Sequence, residues 1–354
     1  MPAAERTRPS PAEVEAYSPA RHEIAALLAL IQNGADVGRL NALLDGEIPA
    51  PPGLFSNGPE LRPVFSAAAA EDLFSWIEDR HARKNAGKPL GVETPYNAFN
   101  EILGGGFQPG QTYIMGGPPG TGKSALALAL ARHHSKNGGR ALYLSYEVSP
   151  MACLNRALCD ISSTKGDKFQ GGFISRAKAE SFREAFTKET EGITFIDATS
   201  SPRPTIDGIA RAVQSQTTND PYGALVIVDY LQLAARWAGY SDRMDVRVQV
   251  ANFSNQLTEI ARTCNVPVLA LSSVNREAYK DASKGNAAFK EAGDVESDAD
   301  VTMLLGAVGE SWDAIRVKDD WHIDLHVLKN RHGKTGKVKL TFCRPYFRFL
   351  EGHQ

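Results

Sequence analysis

From about residue 90 onward, short apolar runs alternate with longer segments of mixed polarity. The runs 111–116, 140–146, 193–197, 224–230 and 266–273 predict strands, and 124–137, 149–162, 175–188, 204–217 and 246–264 predict the helices between them. Leu225-Val226-Ile227-Val228 is apolar at every position. A strand buried on both faces reads this way, whereas a half-exposed strand alternates. Strand–helix alternation therefore predicts an α/β fold, a mostly parallel sheet with helices on both faces. The pattern changes near the end, where 301–307, 321–329, 337–342 and 346–350 are strand-like with no helix between them. Their turns hold Gly333 and Gly336, so hairpins are expected there.

The first part of the chain reads differently. Residues 1–20 are polar, with scattered Pro and Ala. Ile24, Leu27, Leu28, Leu30, Ile31, Leu40, Leu43 and Leu44 predict one or two short amphipathic helices, interrupted near Gly34. Pro49, Pro51, Pro52, Pro59 and Pro63 then mark a linker. Ser66 to Lys84 predicts a helix whose apolar residues Leu73, Phe74, Trp76 and Ile77 form a stripe that needs a partner surface. The expected organisation is thus a short helical and linker region at 1–65, a linker helix at 66–88, and one large α/β domain at 89–354.

Composition narrows the class without choosing within it. The 354 residues are 42% hydrophobic and 23% charged, with a net charge of −2. That is enough apolar chain for a real core, and any contact with nucleic acid must be local. The sequence offers no apolar run long enough to cross a bilayer and no signal segment, which points to a cytoplasmic protein without membrane partners. Cys153, Cys159, Cys264 and Cys343 form no C-x-x-C pair, so reduced thiols are expected rather than disulfides or a zinc site.

The chemistry begins where the first strand meets the first helix of the α/β region. Gly117-Pro118-Pro119-Gly120-Thr121-Gly122-Lys123-Ser124, followed by Ala125, fits the P-loop pattern G-x-x-x-x-G-K-[ST]. Its glycines let backbone N–H groups close on phosphates at the start of a helix, whose positive end faces them. Lys123 is placed to reach the β- and γ-phosphates of a nucleotide and Ser124 to hold Mg²⁺. Two later strands end in acids, at Glu147 and Asp229. At the carboxyl end of a buried parallel strand, an acid leaves the core into the ligand crevice. Asp229 suits the acid that organises Mg²⁺, and Glu147 suits a base that polarises water. Either alone also fits a solvated acid in the loop after a strand.

Five stretches in order carry a family resemblance: Gly105-Gly106-Phe107-Gln108-Pro109-Gly110 leading to the P-loop, Tyr143-Leu144-Ser145-Tyr146-Glu147, Val228-Asp229-Tyr230-Leu231-Gln232-Leu233, Gly293 to Asp300, and Lys329 to Gly336. Together, from about Gly91 to Leu350, they resemble the motor domain of DnaB-type replicative helicases. The resemblance implies a RecA-like sheet, ATP and Mg²⁺ as cofactors, a homohexameric ring, and single-stranded DNA as substrate. It also implies a primase or helicase loader as a possible partner. The family offers an arginine and a lysine to ATP on the neighbouring subunit, which here implies Arg331 and Lys329. These two are two residues apart, hence on one face of a strand; on the residues alone they also fit an ordinary basic hairpin tip.

For DNA, Lys290, Glu291 and Gly293 match the family's contact motif, with Lys290 where an arginine is usual. The loop Arg236 to Arg243 mixes basic and aromatic residues, which suits phosphate contact and base stacking or simply a solvated loop. Ser273 stands where the family usually has a glutamine that couples the γ-phosphate to DNA, and the N-terminal region is shorter than the family's. Two other readings therefore stay open: a filament-forming recombinase ATPase on the same core, and a non-translocating ATP switch or adaptor. His322, Asp324 and His326 share one strand face and could hold a metal, but a solvated sheet face accounts for them.

Overall fold

The computed structural model describes residues 66–199, 202–216, 223–238, 240, 244–274, 299–307 and 318–352. The chain divides into two compact units, Met1–Glu78 and Asp79–Gln354. The expected helices within 22–44 and the Pro-rich linker lie outside the described residues. The first described element, α1 (Ser66–Asn85), runs across the boundary between the units. Leu73, Phe74, Trp76 and Ile77 of α1 are each about half exposed, 46% at the least and 62% at the most.

The second unit is built on one nine-stranded sheet. In chain order its elements are α2 (Asn97–Ile102), β1 (Thr112–Gly117), α3 (Lys123–Lys136), β2 (Arg140–Ser145), α4 (Pro150–Ile161), α5 (Gly166–Gln170), α6 (Arg176–Glu180), α7 (Arg183–Thr190), β3 (Ile193–Asp197), α8 (Ile206–Gln216), β4 (Ala224–Asp229), α9 (Leu231–Trp237), α10 (Val246–Cys264), β5 (Val268–Ser273), β6 (Val301–Ala307), β7 (Asp320–Asn330), β8 (Gly336–Cys343) and β9 (Arg348–Glu351). The spatial order is β3-β2-β4-β5-β1-β6-β7-β8-β9. The pairings from β3 to β6 are parallel, and β6-β7-β8-β9 are antiparallel.

This architecture follows from the apolar patterning. Successive side chains of a strand point to opposite faces. Tyr113 and Met115 of β1 join a core with Leu126 and Leu130 of α3, while Ile114 joins a second core with Phe253 and Leu257 of α10. The strands between them are buried on both sides, which is why 225–228 carries no polar residue. The expected fold class and the strand positions agree with the structure. The helical region predicted at 175–188 is instead two short helices, α6 and α7, broken at Ser181-Phe182. Helices α2, α5 and α9 were not signalled by periodicity, because a helix of seven residues or fewer makes barely two turns.

Candidate active site

The sheet order brings the candidate residues to one edge. In β1, β2, β4 and β5 the carboxyl ends point the same way, with Gly117 opposite Ser273 and Ser145 opposite Asp229 in register. Ligands of open α/β sheets bind outside the carboxyl ends of the strands. A cleft of about 560 Å³ lies there, lined by Gly120, Gly122, Lys123, Ser124, Glu147 and Asp229 among others. The P-loop turns because Gly120 and Gly122 take φ of 84° and 91°. A Cβ at Gly122 would also stand 2.9 Å from the rings of Phe342 and Phe349, so this position requires glycine twice over. Helix α3 then starts at Lys123, with the backbone N–H groups of its first turn facing the loop.

The electrostatics of this edge are those of a half-dehydrated ion cluster. Lys123 Nζ donates to the carbonyls of Gly117 at 2.7 Å and Pro118 at 3.1 Å. Burial pushes its ammonium down to about 8, partly offset by the nearby Asp229 and Glu147 carboxylates. Asp229 is 2% exposed and accepts a hydrogen bond from the Tyr143 hydroxyl at 2.7 Å. Burial raises its carboxyl, against hydrogen bonds from Ser124 and Tyr143 and the charges of Lys123 and Arg156. Glu147 is exposed, in the loop after β2. That loop is fixed on both sides: Ser145 Oγ donates to the Val148 carbonyl, and Ser149 caps α4 by accepting from the Ala152 N–H. Ser124 and Asp229 thus present oxygen donors side by side, the ligand type that a hard cation takes.

The far wall of the cleft comes from the antiparallel extension. Arg344, Pro345 and Phe347 between β8 and β9 line it, together with Asp319 and, from α4, Arg156. The Arg156 guanidinium sits 5.6 Å over the Phe347 ring. None of these was singled out from sequence, because nothing in their local pattern marks them. Ser273 also lines the cleft, and Gln232 of α9 clasps its backbone, accepting from the Ser273 N–H at 3.1 Å and donating to its carbonyl at 3.0 Å.

Arg331 and Lys329 lie elsewhere. Val301 of β6 pairs with Tyr113 at the start of β1, and Asn330 of β7 pairs with Val301. Arg331 therefore sits at the amino edge of the central strands, the full length of β1 from the P-loop. Five residue steps of strand amount to roughly 16 Å. Strand β7 stops at Asn330, so the expected shared strand face does not hold: Lys329 is on the strand and Arg331 in the turn that follows. The Asn330 side chain organises that turn, donating to the Lys334 carbonyl at 3.1 Å and accepting from the His332 N–H at 3.1 Å.

Of the DNA candidates, Arg236 is exposed on the last turn of α9. Next to it, the Arg203 guanidinium lies 3.7 Å over the Trp237 ring, a cation–π contact between distant segments that sequence did not reveal. Lys290, Glu291, Gly293 and Arg243 lie outside the described residues. The strand face of His322, Asp324 and His326 is not uniformly solvated: Asp324 is 5% exposed and paired with Lys337 at 2.9 Å. Among the described residues no group of three or more His, Cys, Asp or Glu side chains is arranged to hold a metal, and no helix is long and apolar enough to cross a membrane. The four cysteines are free thiols.

Comparison with known proteins gives a consistent result. Residues 91–351 match the DnaB-like helicase C-terminal domain. The chain is 28% identical over 358 residues to the replicative DNA helicase DnaB of Leifsonia xyli subsp. xyli, covering 97% of the chain and 75% of that relative. It spans about three fifths of the length of other replicative helicases that it matches, those of Treponema pallidum and Bacillus subtilis. In fold it is similar to a solved ATPase domain, with a TM-score of 0.69 and 21% identity over 82% of this chain and 100% of that one. A similar likeness holds for a DnaB-like replicative helicase solved to describe its interactions with primase, with a TM-score of 0.66 and 19% identity over 97% and 78% of the two chains.

Proposed function

Because the chain belongs to the DnaB-like helicase C-terminal domain family, we propose that it is an ATP-driven motor that assembles as a homohexameric ring and moves along single-stranded DNA. Residues 89–354 form the motor, and 66–88 a linker helix whose exposed apolar side chains are covered by an adjacent subunit. The P-loop backbone from Gly117 to Ala125 and the Lys123 ammonium hold the nucleotide phosphates. Ser124 and Asp229 would hold Mg²⁺, which when bound neutralises phosphate charge. Tyr143 keeps the Asp229 carboxylate oriented by its hydrogen bond. Glu147, exposed in the cleft beside these groups, orients and polarises the attacking water.

The observation that carries the ring reading is the division of candidate residues between two edges. Lys123, Ser124, Glu147 and Asp229 share the carboxyl edge, while Arg331 is at the amino edge, too far to serve its own P-loop. Arg331 and Lys329 then act on the nucleotide of a neighbour. Arg236, with Arg243, Lys290, Glu291 and Gly293, contacts the DNA strand, and in the cytoplasm a primase or loader joins the ring.

Mixed assemblies test this. Lys123→Ala and Arg331→Ala subunits are each expected to lose DNA-stimulated ATP hydrolysis, the latter by on the order of 10³-fold or more. A co-assembled mixture contains interfaces with an intact P-loop facing an intact Arg331, so part of the activity returns. Subunits that demonstrably co-assemble without recovery overturn the shared site. Open filaments or monomers with a non-hydrolysable ATP analogue, seen by electron microscopy, would favour a recombinase or a switch over a ring.

A further inference from the structure

The amino edge holds a buried carboxylate with no place in the nucleotide chemistry described above. Asp300 immediately precedes β6 and is 4% exposed. Its Oδ2 accepts the backbone N–H of Thr112, the first residue of β1, at 2.9 Å. Its own N–H donates to the Thr112 carbonyl at 3.0 Å, and its carbonyl accepts the Arg331 N–H at 3.0 Å. The remaining oxygen, Oδ1, lies 3.7 Å from Arg331 Nη1 and 3.7 Å from His332 Nε2.

A carboxylate this buried is costly unless it is hydrogen-bonded and faces positive charge. Asp300 meets both conditions, with one oxygen on each task. Oδ2 ties it to the first residue of the P-loop strand, and Oδ1 faces the guanidinium. The Arg331 side chain is 40% exposed and projects from a turn, where a long flexible chain has many rotamers to choose from. Backbone and side chain of Arg331 are both referred to the same buried residue. A separation of 3.7 Å is longer than a hydrogen bond, so the pair directs the guanidinium without a bidentate clasp of the kind that would compete fully with a phosphate.

We propose that Asp300 is the positioning residue for Arg331: it sets the guanidinium in register with β1 and presents it to the nucleotide of the neighbouring subunit. This rests on the reading of Arg331 as a residue acting in trans. It also gives a material link between the two edges, since Asp300 grips one end of the strand whose other end is the P-loop.

The test uses the full chain and the Asp300→Asn variant. Asparagine keeps an oxygen to accept the Thr112 N–H and replaces the charged oxygen facing Arg331 and His332 with a neutral amide NH2. The expected result is a fall in kcat of about 10²-fold, the scale of loss from a misplaced catalytic group. Affinity for a fluorescent ATP analogue at the subunit's own P-loop should stay within about twofold, because binding and positioning lie on opposite edges. The Asp300→Asn/Arg331→Ala double variant should be no slower than Arg331→Ala alone, as for residues acting as one unit. A double variant that loses the product of the two single effects shows that Asp300 acts independently and overturns the proposal. So does wild-type kcat in Asp300→Asn when Arg331→Ala is inactive. Wild-type kcat in Arg331→Ala removes the trans reading itself, and this inference with it. If Asp300→Asn does not fold, Asp300→Glu retains the charge and displaces it by one methylene; lost kcat with retained nucleotide binding then supports positioning, and unchanged kcat overturns it.

Discussion

The two edges of the central sheet are built on opposite principles. At the carboxyl edge, the half-buried Lys123 and the buried Asp229 are fixed by short hydrogen bonds to the P-loop carbonyls and to Tyr143. At the amino edge, Arg331 is partly exposed, in a turn beyond the end of β7, facing a carboxylate at 3.7 Å. The first is a site preorganised for a ligand of its own. In the assembly proposed above, the second is a group for a ligand brought by another molecule, and its partly exposed charge is aimed rather than enclosed. An enzyme with both edges in one active site gains nothing from placing them the length of a strand apart. An assembly gains control, because turnover then requires that the interface close.

The largest expected effect on this contrast is at Glu147. Glu147→Gln should retain nucleotide binding and lose about 10²- to 10⁴-fold in hydrolysis, the usual worth of a positioned base. Its mixing behaviour separates the edges. Glu147→Gln and Lys123→Ala damage the same edge, so no subunit in their mixture is intact there and activity stays lost. Glu147→Gln mixed with Arg331→Ala restores interfaces with one sound edge from each partner, and activity returns in part. Recovery in the first mixture, or its absence in the second despite co-assembly, would place Glu147 on the wrong side of the interface. Near-normal hydrolysis in Glu147→Gln would remove it from the chemistry.

A tenfold effect is expected from pH at Lys123. Burial brings its ammonium down to about 8, so the site loses its cation as pH rises through that value. An anionic phosphate binds the protonated form, and nucleotide affinity should fall about tenfold between pH 7 and pH 9, with proton uptake on binding at the upper end. Calorimetry in buffers of different ionisation enthalpy measures that uptake directly. The fold itself should move the other way. Between about 8 and the ordinary lysine value the unfolded chain binds more protons than the folded one, so this group's contribution to stability rises with pH across that window. Flat affinity from pH 7 to 9 would mean that Lys123 remains charged in the free protein and that the carboxyl edge is wetter than its geometry implies.

The two edges also differ in how far sequence reveals them. The P-loop is one continuous stretch whose glycines, lysine and hydroxyl are needed at fixed spacing, and the acids at 147 and 229 are marked by the apolar strands before them. Strand order then assembles them, which periodicity could anticipate only as a parallel sheet. The amino edge is non-local. Asp300 and Thr112 are 188 positions apart, and only the β1–β6 pairing shows that they meet. Likewise, the end of β7 at Asn330 moved Arg331 off the strand face expected from its spacing to Lys329, because the Asn330 side chain closes the turn one residue earlier. Arg156 and Phe347, which line the cleft from α4 and from the β8–β9 connection, carry no local signal at all.

The smallest expected effect concerns DNA, and it asks whether a third surface belongs with either edge. Arg236 lies in the last turn of α9, the helix that starts two residues after Asp229, and its side chain is in solvent. Arg236→Ala should weaken single-stranded DNA binding equally for all sequences, since a phosphate contact carries no base information. Loss of one phosphate contact lowers the slope of log affinity against log salt by about 0.7, which is roughly fivefold over a tenfold change in salt. Lys290→Ala should do the same, and the two together should lower the slope by about twice as much if they touch different phosphates. The sharper comparison is in ATP hydrolysis without DNA. A side chain that only tracks the strand leaves that rate alone, whereas one coupled through α9 to Asp229 changes it. An unchanged salt slope in both variants would return these residues to the class of solvated loop cations. A sequence-selective loss would mean that the contact is to bases, and that the strand is read rather than merely held.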